Sequence, residues 1–358
     1  MNQPSIRAEL ILTSLGRKYN VLALGWNRGE GFKERNLLHI FNPSAPYGCT
    51  LRYLALLPMF WTWIFIKLCV HRPKIIHACN LDTIIPCYVY KILFRRKLVF
   101  DMHDRYAMSY IPRDRGFFFD LLYRVINRVE ENIANNTDLL ISVYHKIFET
   151  FKKKPRNCIE IMVCSEDLKT NNLKAVVNTF KVLFTGHVRA GRGLDILLDI
   201  IGDIENTELL VVGRVEDNQL LKKTHQNLNS KYLGFLDRNQ LVNLEVNCDA
   251  IIALYDLNLQ TQHRYGMANK ILEAMMCGLP IITNIAHELI KETGCGILVG
   301  YDNDKEIKEA IITLRDNHDL RSKLGKNGRK AFLEKYNWPM MEDKLLKSYE
   351  SLLTRTNR

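Results

Sequence analysis

No CxxC pair, no leader-like opening and no uncharged apolar run of bilayer length stand in this sequence. The nine cysteines are odd in number and lie mostly in apolar segments. Without paired spacing they argue against a disulfide framework or a zinc site, and buried free thiols in a reducing compartment fit better. No basic stretch followed by an apolar core and a cleavage site opens the chain, which points to a cytoplasmic protein rather than a secreted one. The most apolar stretch, Tyr53 to Ile66, has 14 uncharged residues and is interrupted by Pro58. A spanning helix needs ~20, so this one is not expected to cross a membrane. Internal repeats and low-complexity tracts are absent too. An RNP-like aromatic motif and a zinc finger are also missing, so no nucleic-acid partner is expected.

What is there describes an ordinary globular protein. Hydrophobic residues make up 47% and charged residues 25% of 358. That length exceeds what one hydrophobic core normally serves, so two domains are expected. The formal charge of +11 is unevenly placed: residues 1–168 carry 24 Lys and Arg against 15 Asp and Glu, while residues 169–358 carry 26 against 24. The excess in the first half suggests an anionic partner there.

Short apolar runs rich in β-branched residues alternate with longer helical patterns, the rhythm of βαβ units and parallel sheets. Strands are expected at Asn20–Gly25, Leu37–Phe41, Lys74–Cys79, Lys97–Met102, Asp138–Val143 and Cys158–Val163. A polar, aperiodic stretch from Ser165 to Asn178 follows, and the alternation restarts at Lys181–Gly186, Glu208–Gly213, Lys231–Leu236, Asp249–Leu254, Leu279–Thr283 and Gly296–Val299. The expected architecture is α/β, with Rossmann-like doubly wound domains at 1–168 and 169–338. A last helix, 339–358, has apolar residues at near-helical spacing and needs a surface to cover, taken to be the N-terminal domain.

Open parallel sheets bind ligands at the carboxyl ends of their strands, so chemistry is sought in the loops that follow them. One such loop runs Gly186-His187-Val188-Arg189-Ala190-Gly191-Arg192-Gly193 into a helix. Its glycines permit tight backbone, and the helix-start amides with Arg189 and Arg192 make an anion site sized for a diphosphate. A turn whose arginines face solvent is an equal rival. A second stretch, Gly266-Met267-Ala268-Asn269-Lys270-Ile271-Leu272-Glu273, opens another helix. Asn269 and Lys270 can meet phosphate, and a carboxylate one turn in can accept both hydroxyls of a ribose. The plainer role for Glu273 is favourable placement near a helix N-terminus.

These two stretches, with Val211-Val212-Gly213-Arg214, Tyr232-Leu233-Gly234-Phe235 and the helix at Trp338, resemble the C-terminal domain of family 4 glycosyltransferases. The resemblance extends over nearly the whole chain and implies the GT-B fold, two Rossmann-like domains facing a cleft. It implies that Arg192 grips the donor diphosphate, that Glu273 binds the ribose, and that Asn269 and Lys270 lie beside the phosphates. Gly213, Arg214 and the backbone of Leu233, Gly234 and Phe235 would flank the nucleoside. Retaining transfer without a metal or other cofactor is what the family leads one to expect.

In the first half, Ile76-His77-Ala78-Cys79-Asn80-Leu81-Asp82-Thr83 and Val99-Phe100-Asp101-Met102-His103-Asp104 each put polar residues directly after an apolar strand. They look like the family's segments for the acceptor side, which assigns His77, Asn80 and Asp82 there and makes His103 the first candidate catalytic residue. A strand-end histidine is more often structural. Asp101 and Asp104 are candidates to orient His103, or to cap the next helix, while His77, one residue inside its strand, has the weaker case.

Three departures stand out. Tyr265 occupies the first position of the family's Glu-x7-Glu, His187 stands where many members have Arg, and the chain opens on a helix-like segment where a strand and glycine-rich loop are usual. Asp302-Asn303-Asp304 spells a DxD but precedes a helix, so capping is its expected use. Aromatics from Leu51 to Val70 with nearby cations suit peripheral contact with an anionic membrane, and so a lipid-linked or other glycan acceptor. A helix buried on the sheet is an equal rival. The leading function is sugar transfer from a nucleotide-sugar donor; an epimerase of the same fold and a non-catalytic nucleotide-sugar-binding subunit are the alternatives.

Overall fold

A computed structural model of the chain describes residues 6–28, 38–46, 49–111, 116–168, 179–259 and 267–354. Two compact units emerge, Met1–Val163 with Met341–Arg358 and Cys164–Met340. Each is described in turn.

Unit 1 runs α1 (Ile6–Gly16), β1 (Ala23–Trp26), β2 (Leu38–Phe41), α2 (Thr50–His71), β3 (Ile75–Cys79), α3 (Asn80–Phe94), β4 (Lys97–Met102), α4 (Tyr106–Tyr110), α5 (Phe117–Asn136), β5 (Leu139–Ser142), α6 (Lys146–Glu149) and β6 (Cys158–Glu160). All its strand pairs are parallel, divided between a β1-β2 sheet and a sheet of order β3-β4-β5-β6. Side chains alternate across β4: Leu98, Phe100 and Met102 enter a core with Phe60 and Leu68 of α2, Tyr90 of α3 and Ile133 of α5. Asp101 lies on the opposite face, bonded to Arg7 of α1. The alternation that makes a half-buried strand thus sends this carboxylate into a different layer from its neighbours.

The expected 14-residue apolar stretch is in fact part of the 22-residue helix α2, with Pro58 inside it. An interior proline costs about 3 kcal/mol. Burial of Phe60, Ile64 and Leu68 on the sheet offsets that cost, since each fully buried apolar side chain contributes about 1.5–3 kcal/mol.

Unit 2 runs β7 (Phe180–Thr185), α7 (Leu194–Ile200), β8 (Thr207–Val212), α8 (Asn218–Gln226), β9 (Ser230–Tyr232), α9 (Arg238–Glu245), β10 (Ala250–Ala253), α10 (Asn269–Cys277), β11 (Ile281–Thr283), α11 (His287–Thr293), β12 (Gly296–Leu298), α12 (Asp304–Asp316) and α13 (His318–Glu334). Its parallel sheet has the order β12-β11-β10-β7-β8-β9. The chain moves outward through β8 and β9, then crosses back to β10 on the other side of β7. This is the doubly wound order, and its reversal between β7 and β10 marks where a ligand site opens. Asn303 Oδ1 accepts from Glu306 N and caps α12, so the DxD-like turn ends in a capped helix.

The last helix, α14 (Trp338–Thr354), starts in unit 2 and from Met341 onward belongs to unit 1. Within unit 1 its Glu342 pairs with Arg17, its Glu350 with Lys18, and Tyr349 reaches His77.

Candidate active site

At the switch point of unit 2 the backbone of two loops comes into contact. Gly213 has φ of +146° and Gly186 +130°, and a Cβ on Gly213 would lie 1.7 Å from the Gly186 carbonyl oxygen. Gly186 N–H donates to Val212 O and Gly213 N–H to Gly234 O, each at 2.9 Å. Glycine is therefore demanded by both conformation and space, which fixes the floor of the site.

A cavity of about 490 Å³ lies over this floor. Gly186, His187 and Arg192 come to it from the loop after β7, Gly213 and Arg214 from the loop after β8, and Phe235 from beyond β9. Met267, Ala268, Asn269, Lys270 and Glu273 come from the start of α10. Among the described residues no side chain caps the N-terminus of α10, which begins after Ala268, and its first amides offer donors to an anion.

Lys270 is 8% exposed. Its ammonium donates to the Thr185 carbonyl and lies 5.1 Å from the Phe184 ring and 5.4 Å from that of Tyr255. Burial and the Arg192 charge together push its pKa down to about 7, against the opposing pull of Glu273. Arg192 stacks over Tyr255 at 5.0 Å, and its buried Nε has no hydrogen-bond partner. Its pKa is lowered, first by burial. Two partly desolvated cations beside a helix N-terminus have no carboxylate salt bridge among the described residues, an arrangement that favours a bound polyanion.

Glu273 is half-buried at the wall, its pKa raised by burial. Behind it, Glu245 of α9 is fully buried. Cys277, one turn beyond Glu273, donates its thiol to Glu245 Oε2 at 3.3 Å, and Oε1 has no partner. Burial and the adjacent Glu273 charge raise Glu245 to about 8.

The structure distinguishes among the residues singled out from sequence. Arg189 does not line the cavity: with His187 it pairs to Glu216, at 3.4 and 2.5 Å. Leu233 and Gly234 also stand back from it, because the Gly234 carbonyl is spent on Gly213 and it is Phe235 and Leu236 that reach the opening. Gly266 and Tyr265 lie outside the described residues. Tyr255 and Thr185 line the cavity without having been singled out. Tyr255 follows β10, so the strand-end rule that located the other loops applied to it as well.

In unit 1, His103 follows β4. Its backbone N–H donates to Asn80 Oδ1 at 3.1 Å, and Nε2 lies 3.3 Å from Asp101 Oδ2. Asp101 is fully buried and bound at both oxygens by Arg7, at 2.9 and 2.6 Å. Burial opposes its ionisation, but Arg7, His103 and His77 outweigh that and hold the carboxyl well below the usual range. Asp101 is thus the carboxylate that orients His103. Asp104 instead accepts from Tyr110 OH at 3.0 Å, and the first amides of α4, those of Tyr106 and Ala107, donate to the Glu130 carboxylate at 2.8 and 3.2 Å, so neither aspartate caps this helix.

His77 joins the same network, its Nε2 3.4 Å from Asp101 Oδ2 and its Nδ1 2.6 Å from Tyr349 OH. Asp82 accepts from Tyr53 OH at 3.3 Å and is raised by burial. Among the described residues, His77, Cys79 and Asp101 have ligand-type atoms within 4.8 Å of one another. With both Asp101 oxygens committed to Arg7 and the Cys79 thiol pushed up by burial, they fit a hydrogen-bond network better than a metal site.

Residues 166–331 match the family model for glycosyl transferases group 1. This chain carries a group 1 glycosyltransferase domain. The cavity and its cations lie within that matched segment. An uncharacterised glycosyltransferase of Methanocaldococcus jannaschii is 26% identical over 302 residues, covering 82% of this chain and 71% of that protein. Among solved structures, the sucrose-phosphate synthase of Thermosynechococcus elongatus aligns with a TM-score of 0.78 at 16% identity, over 98% of this chain and 93% of that one. Anabaena HepE, solved in complex with UDP-glucose, aligns with 0.71 at 17% identity, over 98% and 97%. These glycosyltransferases share the GT-B fold, and the likeness at such low identity establishes fold alone.

Proposed function

We propose that the enzyme transfers a sugar from a nucleoside-diphosphate sugar, held in unit 2, to a hydroxyl of a glycan or lipid-linked acceptor, with retention at the anomeric carbon. The observation that carries this reading is the pair Lys270 and Arg192 beside the uncapped start of α10. They are placed to take the diphosphate, and Glu273 to accept the ribose hydroxyls. The HepE complex with UDP-glucose supports a donor of this class and makes UDP the first probe.

In the reaction the bond from the anomeric carbon to the diphosphate oxygen breaks and the acceptor oxygen bonds to that carbon. The hydroxyl proton passes to the departing phosphate or to a base. Negative charge grows on the leaving group, and cations already fixed and partly desolvated stabilise it without reorganising. His103, held by Asp101, is assigned to the transferred sugar and the acceptor hydroxyl. His103→Ala is expected to lower turnover of UDP-glucose, or of whichever donor a panel identifies, by about 10²-fold or more while leaving UDP affinity unchanged. Unchanged turnover in that variant would remove His103 from the mechanism.

A further inference from the structure

We propose that the outer face of α2, α3 and α5 docks the protein on an anionic lipid bilayer. The three helices connect successive strands β2 to β5, and their inner faces share one core against the sheet. Their outer faces therefore form one side of unit 1, and most of the exposed large apolar side chains among the described residues lie there. Such patches on a soluble protein mark an interaction surface.

Helix α5 shows the design most clearly. Phe117, Phe118, Leu121, Val125 and Val129 recur at helical spacing and are all exposed, the first two by 84% and 69%. The opposite side buries Glu130, Ile133 and Ala134. Its apolar stripe faces outward, and Arg124 and Arg128 fall at its edge, both exposed, Arg124 also pairing with the half-buried Asp120 one turn earlier at 2.6 Å. On α2 and α3 the exposed positions include Leu51, Ile66 and Leu93 beside Arg52 and Arg95.

Charge decides the occupant. Helix α2 contains no Asp or Glu, and the acids of α3 and α5 (Asp82, Asp120, Glu130 and Glu131) are all buried or half-buried. An apolar face with exposed cations and no exposed acid matches lipid acyl chains beneath anionic headgroups. A second copy of the chain would set arginines against arginines. Nor is α2 free to cross the bilayer, although it is 22 residues long and holds an 18-residue window with a mean hydropathy of 1.7. Phe60, Ile64 and Leu68 are core residues, and Trp61 Nε1 donates to Asp82 O at 2.8 Å. The helix is anchored along the sheet, so it meets the membrane lengthwise.

Flotation with vesicles of phosphatidylcholine, alone or mixed with phosphatidylglycerol, tests this. The wild type should float with the mixed vesicles and much less with phosphatidylcholine alone. Each cation near an anionic surface contributes roughly fivefold in affinity, so Arg124→Ala with Arg128→Ala should weaken binding by about tenfold or more. Phe117→Ser with Phe118→Ser should weaken it on both vesicle types. All four positions are exposed, and unchanged circular dichroism and UDP affinity confirm that a variant is folded. A folded wild type that floats with neither vesicle, or variants that float as the wild type does, would overturn the proposal. So would a dimer in sedimentation velocity that the phenylalanine pair abolishes without vesicle binding. UDP affinity is read separately, so failure here leaves the donor reading standing.

Discussion

Lys270 and Glu245 are the residues whose chemistry depends most on where the fold buries them. With its pKa at about 7, Lys270 loses its charge as the pH rises through neutrality in the empty site. A diphosphate favours the charged form, so binding should take up a proton on the alkaline side of 7. UDP affinity should then fall by up to about tenfold per pH unit above 7. Calorimetry in two buffers of different ionisation enthalpy measures that uptake, and Lys270→Met should abolish it. Glu245 behaves oppositely with respect to stability. Its carboxyl ionises near 4.5 in the unfolded chain and at about 8 in the folded one. The folded state therefore binds the extra proton, and stability is lost progressively as pH rises between those values. Glu245→Gln should leave stability near that of the wild type at pH 5 and raise it by a few kcal/mol at pH 8 or above. Urea melts at the two pH values check this, and equal effects at both would contradict it.

At the scale of elements, the strands were the most legible feature, because β-branched runs bounded by glycine or polar residues read the same in sequence and in structure. All twelve expected strands are present with ends shifted by a few residues. Along the chain Pro58 interrupts the 14-residue apolar run of α2, and the packing of Phe60, Ile64 and Leu68 against the sheet, which carries the helix through that proline, is not visible there. The partners of His103 were only half visible for the same reason. Asp101 stands two residues away, but Arg7 and Tyr349, which fix its network, come from distant parts of the sequence. The loop glycines carried both composition and geometry. Gly213→Ala would drive a methyl group into the Gly186 carbonyl, and it is expected to cost about 3 kcal/mol or more in a denaturant melt. A cost near zero would mean that the two loops can separate, and with them the floor of the site.

For the whole molecule, the group 1 match lies in unit 2 and the cationic excess in the first half of the chain, and the proposed division of labour gives the donor to the former. The family was readable because short motifs carry it. The exposed apolar side of unit 1 was readable only in part, since the outward stripe of α5 looks in sequence like any amphipathic helix and only burial shows that it is turned to solvent. The central claim is that Arg192, Lys270 and Glu273 form a nucleotide-sugar donor site. Its most direct test is isothermal calorimetry of UDP and UDP-glucose, then of GDP-, ADP- and dTDP-sugars, against the wild type, Arg192→Ala and Glu273→Ala. The account predicts binding of one nucleotide class by the wild type, weakened in each variant by about tenfold or more. A folded wild type that binds none of them, or variants that bind as tightly as the wild type, would contradict it.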